Sequence, residues 1–144
     1  EISGLENGKF YEGRKDGLWE TYHENGQLKL KITYKDRKPN GSYVRYFENG
    51  NLLAKGSYKN GKLDGHWEQG FENGQMKFEV SYRNGKRHGP FVGYHRNGFL
   101  RSTGQYKDGK YDGRRMLYDE DGQLKATADY IDGVMTRNPL SEIL

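Results

Sequence analysis

Residues 64–87 read DGHWEQGFENGQMKFEVSYRNGKR, and the same phrase returns every 24 residues. Asp16, Asn40, Asp64, His88 and Asp112 each open a copy, so five copies (16–39, 40–63, 64–87, 88–111 and 112–135) follow one another without an insertion. Within a copy, glycine stands second, an aromatic fourth, Asn-Gly or Asp-Gly tenth and eleventh, Leu or Met thirteenth and Tyr nineteenth. A fixed period of this length is the mark of a repeat architecture. Residues 1–15 form a degenerate half-copy in which Glu6-Asn7-Gly8 echoes the turn and Phe10 stands one period before Tyr34. A frayed or capping strand is expected there. The chain opens at Glu1 part-way through a repeat, which leads us to expect that an upstream piece, such as a signal peptide, has been removed.

Each copy reads as two strands and two tight turns. The second strand (27–34, 51–58, 75–82, 99–106, 123–130) has the cleaner pattern. Leu28, Leu30, Ile32 and Tyr34 alternate with Lys29, Lys31 and Thr33, the period of a half-buried strand. A helix would place Leu28 and Leu30 on different faces. Copies two, four and five shrink the middle pair to Ala54/Gly56, Ser102/Gly104 and Ala126/Ala128. Large copies beside small ones let neighbouring hairpins interdigitate, or bend the sheet unevenly. In the first strand (17–24), Trp19 and Tyr22 lie three apart and share a face only with a bulge.

Asn25-Gly26, Asn49-Gly50, Asn73-Gly74, Asn97-Gly98 and Asp121-Gly122 close one end of the hairpins, and Asn60-Gly61, Asn84-Gly85, Asp108-Gly109 and Asp132-Gly133 the other. Two-residue type I′ turns need positive φ at both central residues, which Asn-Gly and Asp-Gly tolerate best. Asp36-Arg37 departs from the rule, and with Pro39 following a different turn is expected. The fold class is therefore all-β: five hairpins in one elongated, curved antiparallel meander of ten strands, roughly 50 Å long at ~4.8 Å per strand. After Met135 the period fails, and residues 136–144 offer Asn138 as an N-cap and Pro139 at a first helical position, predicting a short capping helix or a tail.

Composition agrees with a thin sheet. Twenty-one glycines are about double the ordinary share, and mean hydropathy is −1.15. Such values hint at disorder in a non-repetitive chain. Here aromatics reach 14% and the glycines hold fixed phases, so tyrosine and tryptophan are expected to cover the sheet's buried face. Net charge is +4 and pI about 9.1, which permits an anionic partner without indicating one. There is no cysteine, hence no disulfide, thiolate nucleophile or Cys-ligated metal. No apolar run approaches the length of a membrane-spanning segment.

From Tyr82 to Gly98 the chain reads YRNGKRHGPFVGYHRNG, and the run Asn84-Gly85-Lys86-Arg87-His88-Gly89 resembles the signature of a MORN (membrane occupation and recognition nexus) repeat. The whole unit, aromatic-x-x-Tyr-x-Glu-Asn-Gly-Gln-Leu followed by Tyr-Lys-Asn-Gly-Lys, is similar to the bacterial variant of that repeat over 16–135. The resemblance implies β-hairpins stacked into elongated, curved, often grooved sheets. It also implies roles known in the family: antitoxin or immunity components of toxin–antitoxin pairs, scaffolds, and lipid binding. Some such proteins carry a phosphatidylinositol-phosphate kinase label, but this chain has no phosphate-cradling Gly-rich loop before a helix and no catalytic-loop pattern. Arg115 at the aromatic position, Gly70 in place of the Tyr of Tyr22, and Asp36-Arg37 depart from the repeat and set copy five and the junction of copies one and two apart as binding units.

Catalysis and metal binding find little support. His23, His66, His88 and His95 lack metal-ligand spacing and are expected to face solvent. Asp119-Glu120-Asp121-Gly122 resembles a clipped calcium loop, lacks the closing Glu, and falls in the phase of an ordinary hairpin turn. No Ser stands in a nucleophile elbow. We expect no enzyme activity, no cofactor and no metal. Two surfaces remain. One turn edge is basic (Lys35, Lys59, Arg83, Lys107; Lys38, Lys62, Lys86, Lys110) and the other acidic (Glu24, Glu48, Glu72, Glu120), with Arg83, Lys86, Arg87, His88, His95, Arg96 and Arg101 clustering as a candidate anion or partner patch. The second surface is an aromatic row of Trp19, Tyr43, Trp67 and Phe91, joined by Tyr22, Tyr46, Tyr94 and Tyr118. The row serves either as a groove lining or as core. Core is expected, because there is little else to bury. One ring per ~10 Å is too sparse to stack successive bases, which counts against nucleic acid. The resulting expectation is a protein-binding repeat module, an antitoxin or immunity protein whose partner is a toxin. Its rivals are a phospholipid-surface binder using the basic edge and a glycan binder using the rings.

Overall fold

The computed structural model describes residues 5–11 and 14–137. Fourteen strand segments form one antiparallel sheet in sequence order, and the described residues contain no helix. They are β1 (Leu5–Tyr11), β2 (Arg14–Tyr22), β3 (Leu28–Lys35), β4 (Lys38–Tyr46), β5 (Leu52–Lys59), β6 (Lys62–Leu63), β7 (Gly65–Gly70), β8 (Met76–Arg83), β9 (Lys86–Tyr94), β10 (Leu100–Lys107), β11 (Lys110–Tyr111), β12 (Gly113–Tyr118), β13 (Leu124–Ile131) and β14 (Val134–Arg137). The expected meander is there. Two of its strands are split, β6 from β7 at Asp64 and β11 from β12 at Asp112. One further strand is added at each end. The half-copy forms β1 along β2, with Asn7 opposite Glu20, so Glu6-Asn7-Gly8 is strand rather than turn. Thr136 and Arg137 end β14, while the helix expected from Asn138 and Pro139 falls outside the described residues.

The two ends of the hairpins close differently. At the basic edge Asn60, Asn84, Asp108 and Asp132 have positive φ, as do the glycines that follow them, the two-residue type I′ geometry. Asp36 and Arg37 adopt the same conformation, at φ 51° and 68°. The different turn expected there does not form. The flanking Lys35–Lys38 pairing enforces the repeat's geometry on an arginine. At the other end the expectation of type I′ turns fails. Only the glycine has positive φ, His23 N–H donates to Gln27 O at 2.8 Å, and Gly26 N–H donates to His23 O at 2.9 Å. This is a three-residue loop, a type I turn followed by a left-handed glycine. The asparagine spends its carboxamide elsewhere. Asn25 Oδ1 accepts from Gln27 N–H, and its Nδ2 donates to the carbonyl of Glu48 in the next copy. Asn49, Asn73 and Asn97 repeat both bonds.

Within each hairpin one residue of the second strand is skipped in the register. Thr21 faces Leu30 while Tyr22 faces Leu28, which leaves Lys29 as the bulge, and Leu53, Lys77, Arg101 and Lys125 hold the same place later. The bulge thus lies on the partner strand and not between Trp19 and Tyr22. The first strand has an irregularity of its own near its start, against the preceding strand, but alternates from Trp19 to Tyr22, and Tyr22 bonds Glu20 while Tyr118 bonds Met116, each two residues back on the same side. Tyr22 and Trp19 therefore occupy opposite faces. The aromatic row splits into two.

One face forms the core. Trp19, Ile32, Ala54, Val80 and Tyr106 are buried, Val80 to 1% exposure. No second layer of the described residues covers them, so the rings cover one another. Tyr43–Tyr58, Trp67–Tyr82 and Phe91–Tyr106 meet edge-to-face at 5.7, 6.4 and 6.0 Å. These pairs explain why an aromatic fourth and a Tyr nineteenth belong to each of the three middle copies. Between copies the interdigitation takes a specific form. The Trp67 ring reaches across Gly56 of β5 to stack on Tyr43 at 5.4 Å, and a Cβ at Gly56 would lie 2.3 Å from that ring.

Candidate functional site

In the last two copies the ring layer changes and opens. Where copies two to four carry an aromatic, copy five carries Arg115. Its stem lies 3.8 Å from the Cβ position of Gly104, and its guanidinium sits 4.8 Å over the Tyr111 ring. Tyr111 faces Tyr106 directly in the register, and the two rings stack at 4.6 Å. On the far side of Tyr106, the Arg87 guanidinium packs 5.4 Å from that ring and 5.8 Å from both Phe78 and Phe91. The result is a cation, two stacked tyrosines, then a second cation. Arg87 also donates to the hydroxyls of Tyr106 at 3.1 Å and Tyr82 at 3.4 Å. Burial works against its charge, but those hydroxyls outweigh it and leave the guanidinium a stronger base than usual. Burial likewise pushes up the Tyr111 hydroxyl, helped by its bond to Tyr106.

These groups line a groove of about 490 Å³, with Lys77 and Arg101, the bulge residues of their copies, on its wall. Four cations contribute, and no carboxylate lines it. That volume is in the range of ligand pockets. The groove can place planar cations beside apolar ring faces, a setting for an anion attached to an apolar body.

The residues picked as an anion patch do not gather in one place. Arg87, His95 and Arg101 line the groove. Arg83 is tied to Asp108 at 3.0 Å, and His88 accepts from the Asp108 N–H and lies 3.8 Å from its carboxylate. Lys86 lays its stem over Gly109 of the next turn. Arg96 stacks 5.3 Å over Phe71 at the opposite turn edge, and His95 bonds the Tyr118 carbonyl. Of the aromatic row, Trp19 is buried and Tyr43 and Trp67 are stacked together. Phe91 alone of the four lines the groove. Sequence reading missed Tyr111 and Arg115 as a pair. The signal was there at the junction of copies four and five, as Tyr at a position held elsewhere by Lys15, Pro39, Leu63 and Arg87, four residues before the arginine that displaces the aromatic.

The opposite face holds one metal-capable cluster among the described residues. His66 and Glu68 of β7 and Glu79 of β8 bring their ligand atoms within 4.8 Å of one another. Glu68 lies directly opposite Glu79 on one side and Lys55 on the other. His-x-Glu on a strand was the readable signal. The expectation of a solvent-facing His66 holds all the same, since its side chain is 60% exposed.

The fold and this surface define a β-hairpin repeat protein whose sheet carries a cationic, ring-lined groove. Five successive segments, 15–36, 39–60, 63–84, 87–108 and 111–132, match the family described as MORN repeat variant, and the chain belongs to that family. No curated protein matches it.

Proposed function

We propose that the chain is a non-catalytic protein-binding module that blocks its partner by occupying it, as an antitoxin or immunity protein does a toxin. The observation that supports this reading most is the groove across copies three to five. Rings and cations there are fixed on hydrogen-bonded strands, and rings with arginine are the side chains that anchor protein interfaces. Such a surface needs no ordering on binding, so little affinity is lost to it. The test is capture from the source cell's lysate and culture medium at low and high salt. A stoichiometric protein retained in high salt supports the module, and a toxic activity of that protein, silenced by the chain, supports the antitoxin role. Capture of lipid or nucleic acid alone, stripped by salt, overturns both.

A second reading rests on the basic edge. Lys35 faces Lys38, Lys59 faces Lys62, Arg83 faces Lys86 and Lys107 faces Lys110 across four successive turns. Like charges placed this closely favour an anionic surface, and binding through them falls steeply as salt rises. The glycan reading loses its best ring, because Trp67 is stacked on Tyr43 and laid over Gly56.

A further inference from the structure

We propose that the groove of copies three to five is the docking slot for an acidic peptide segment of the partner, with carboxylate side chains held at Arg87 and at Arg115, on either side of the tyrosine pair, and an apolar side chain of the same peptide face laid on Phe78 and Phe91. This inference rests on the protein-binding reading above and deepens it. Arg87 and Arg115 flank the stacked pair Tyr106–Tyr111, at 5.4 and 4.8 Å from the nearer ring. Their ring contacts leave guanidinium N–H groups for a ligand, and a guanidinium fork matches a carboxylate in two parallel bonds. Arg87 is half-buried and its bonds go to neutral hydroxyls. A desolvated cation without a counter-charge gains most from an incoming anion. The slot carries no carboxylate to repel one.

The occupant's class follows from shape. A lone phosphate or chloride leaves most of the 490 Å³ unfilled and the ring faces wet. A membrane is flat on this scale, and would meet the exposed lysines of the turn edge before reaching a recessed Arg87. An extended peptide turns every second residue to the same face, so acids and an apolar side chain at positions i, i+2 and i+4 can reach the arginines and the rings together.

The test uses the whole chain and a fluorescein-labelled peptide of Glu-Ser-Leu-Ser repeats, which sets glutamate and leucine in turn on one face of an extended chain, followed by anisotropy. Its glutamine counterpart, inorganic phosphate and vesicles containing phosphatidylserine serve as competitors. Saturable binding of the glutamate peptide is expected, with about tenfold weaker binding of the glutamine peptide. Arg115→Gln keeps a stem over Gly104, removes the charge, and should weaken the glutamate peptide by about tenfold as well. Arg87→Lys keeps the charge without the fork and should do the same, with the circular dichroism spectrum checking that the sheet is intact. Lys59→Gln, at the edge, should change nothing. Equal affinity for both peptides, indifference to Arg115→Gln, or displacement of the peptide by phosphate or vesicles alone overturns the proposal. If a captured protein partner is retained undiminished by Arg115→Gln and the glutamate peptide does not bind, the groove falls while the protein-binding reading stands.

Discussion

Arg37 sits at φ 68° where the equivalent position of every other basic-edge turn holds glycine. A left-handed non-glycine residue costs about 1 kcal/mol. Arg37→Gly should therefore stabilise the protein by up to about that amount, less the extra freedom glycine gains in the unfolded chain. A raised thermal midpoint is the readout. The other end of the hairpins shows why Asn-Gly was readable as a turn but not as a turn type. Both type I′ and the three-residue loop want glycine with positive φ, so the dipeptide alone does not choose between them. Asn97 accepts from Phe99 N–H at 3.0 Å and donates to the Glu120 carbonyl of the next copy at 2.9 Å. Asn97→Asp keeps the acceptor, loses the donor, and faces a carboxylate with a carbonyl. It should cost about 1 kcal/mol in denaturant titration. In copy five the acceptor role passes to Asp119, whose Oδ1 takes the N–H of both Asp121 and Gln123.

Among elements, the small residues of β5 and β10 carry the interdigitation. A methyl at Gly56 meets the Trp67 ring at 2.3 Å, whereas one at Gly104 finds Tyr111 and Arg115 at 3.7 and 3.8 Å. Gly56→Ala should cost about 1–3 kcal/mol as overpacking, and Gly104→Ala should fold as well as the parent. Urea unfolding of the two variants side by side checks the pair. Period-two alternation made the strands readable, and the size alternation of Ala54/Gly56 against Phe78/Val80 made the interlocking readable. The faces were less so. A bulge at Lys29 or Lys77 leaves no mark in a sequence whose polar positions alternate without a break, and it sits opposite the residue it was expected beside. Hence the Tyr22 row was assigned to the wrong face.

At the scale of the whole molecule, each strand contacts its sequence neighbours and there is no second layer among the described residues, so stability is a sum of adjacent terms. Hydrogen exchange should be slowest along β8 and β9, around the fully buried Val80, and fastest in the exposed β14. Acid should loosen the sheet. Asp108 beside Arg83 and Asp129 beside Arg114 are held below the usual carboxylate range by those guanidiniums, and Asp119 by the N–H of Gln123. A carboxylate depressed in the folded state stabilises above its unfolded value of about 4, and that stabilisation is lost as pH falls through the lower folded values. The thermal midpoint should be level near neutrality and drop below about pH 4, with a smaller drop in Asp129→Asn. The basic and acidic edges could be read from the repeat because each recurs in four of the five copies. The groove could not, because it depends on two departures, Tyr111 and Arg115, that become neighbours of Arg87 only once β9, β10 and β11 lie side by side.

The central claim is that the ring-bearing face, rather than the lysine edge, holds a protein partner. Capture from the source lysate by three forms of the chain tests it directly: the parent, Arg115→Gln, and a triple edge variant with Lys35, Lys59 and Lys107 replaced by glutamine. One protein should be retained by the parent and the edge variant and lost with Arg115→Gln. Loss with the edge variant and retention with Arg115→Gln would contradict it and make the basic edge the working surface.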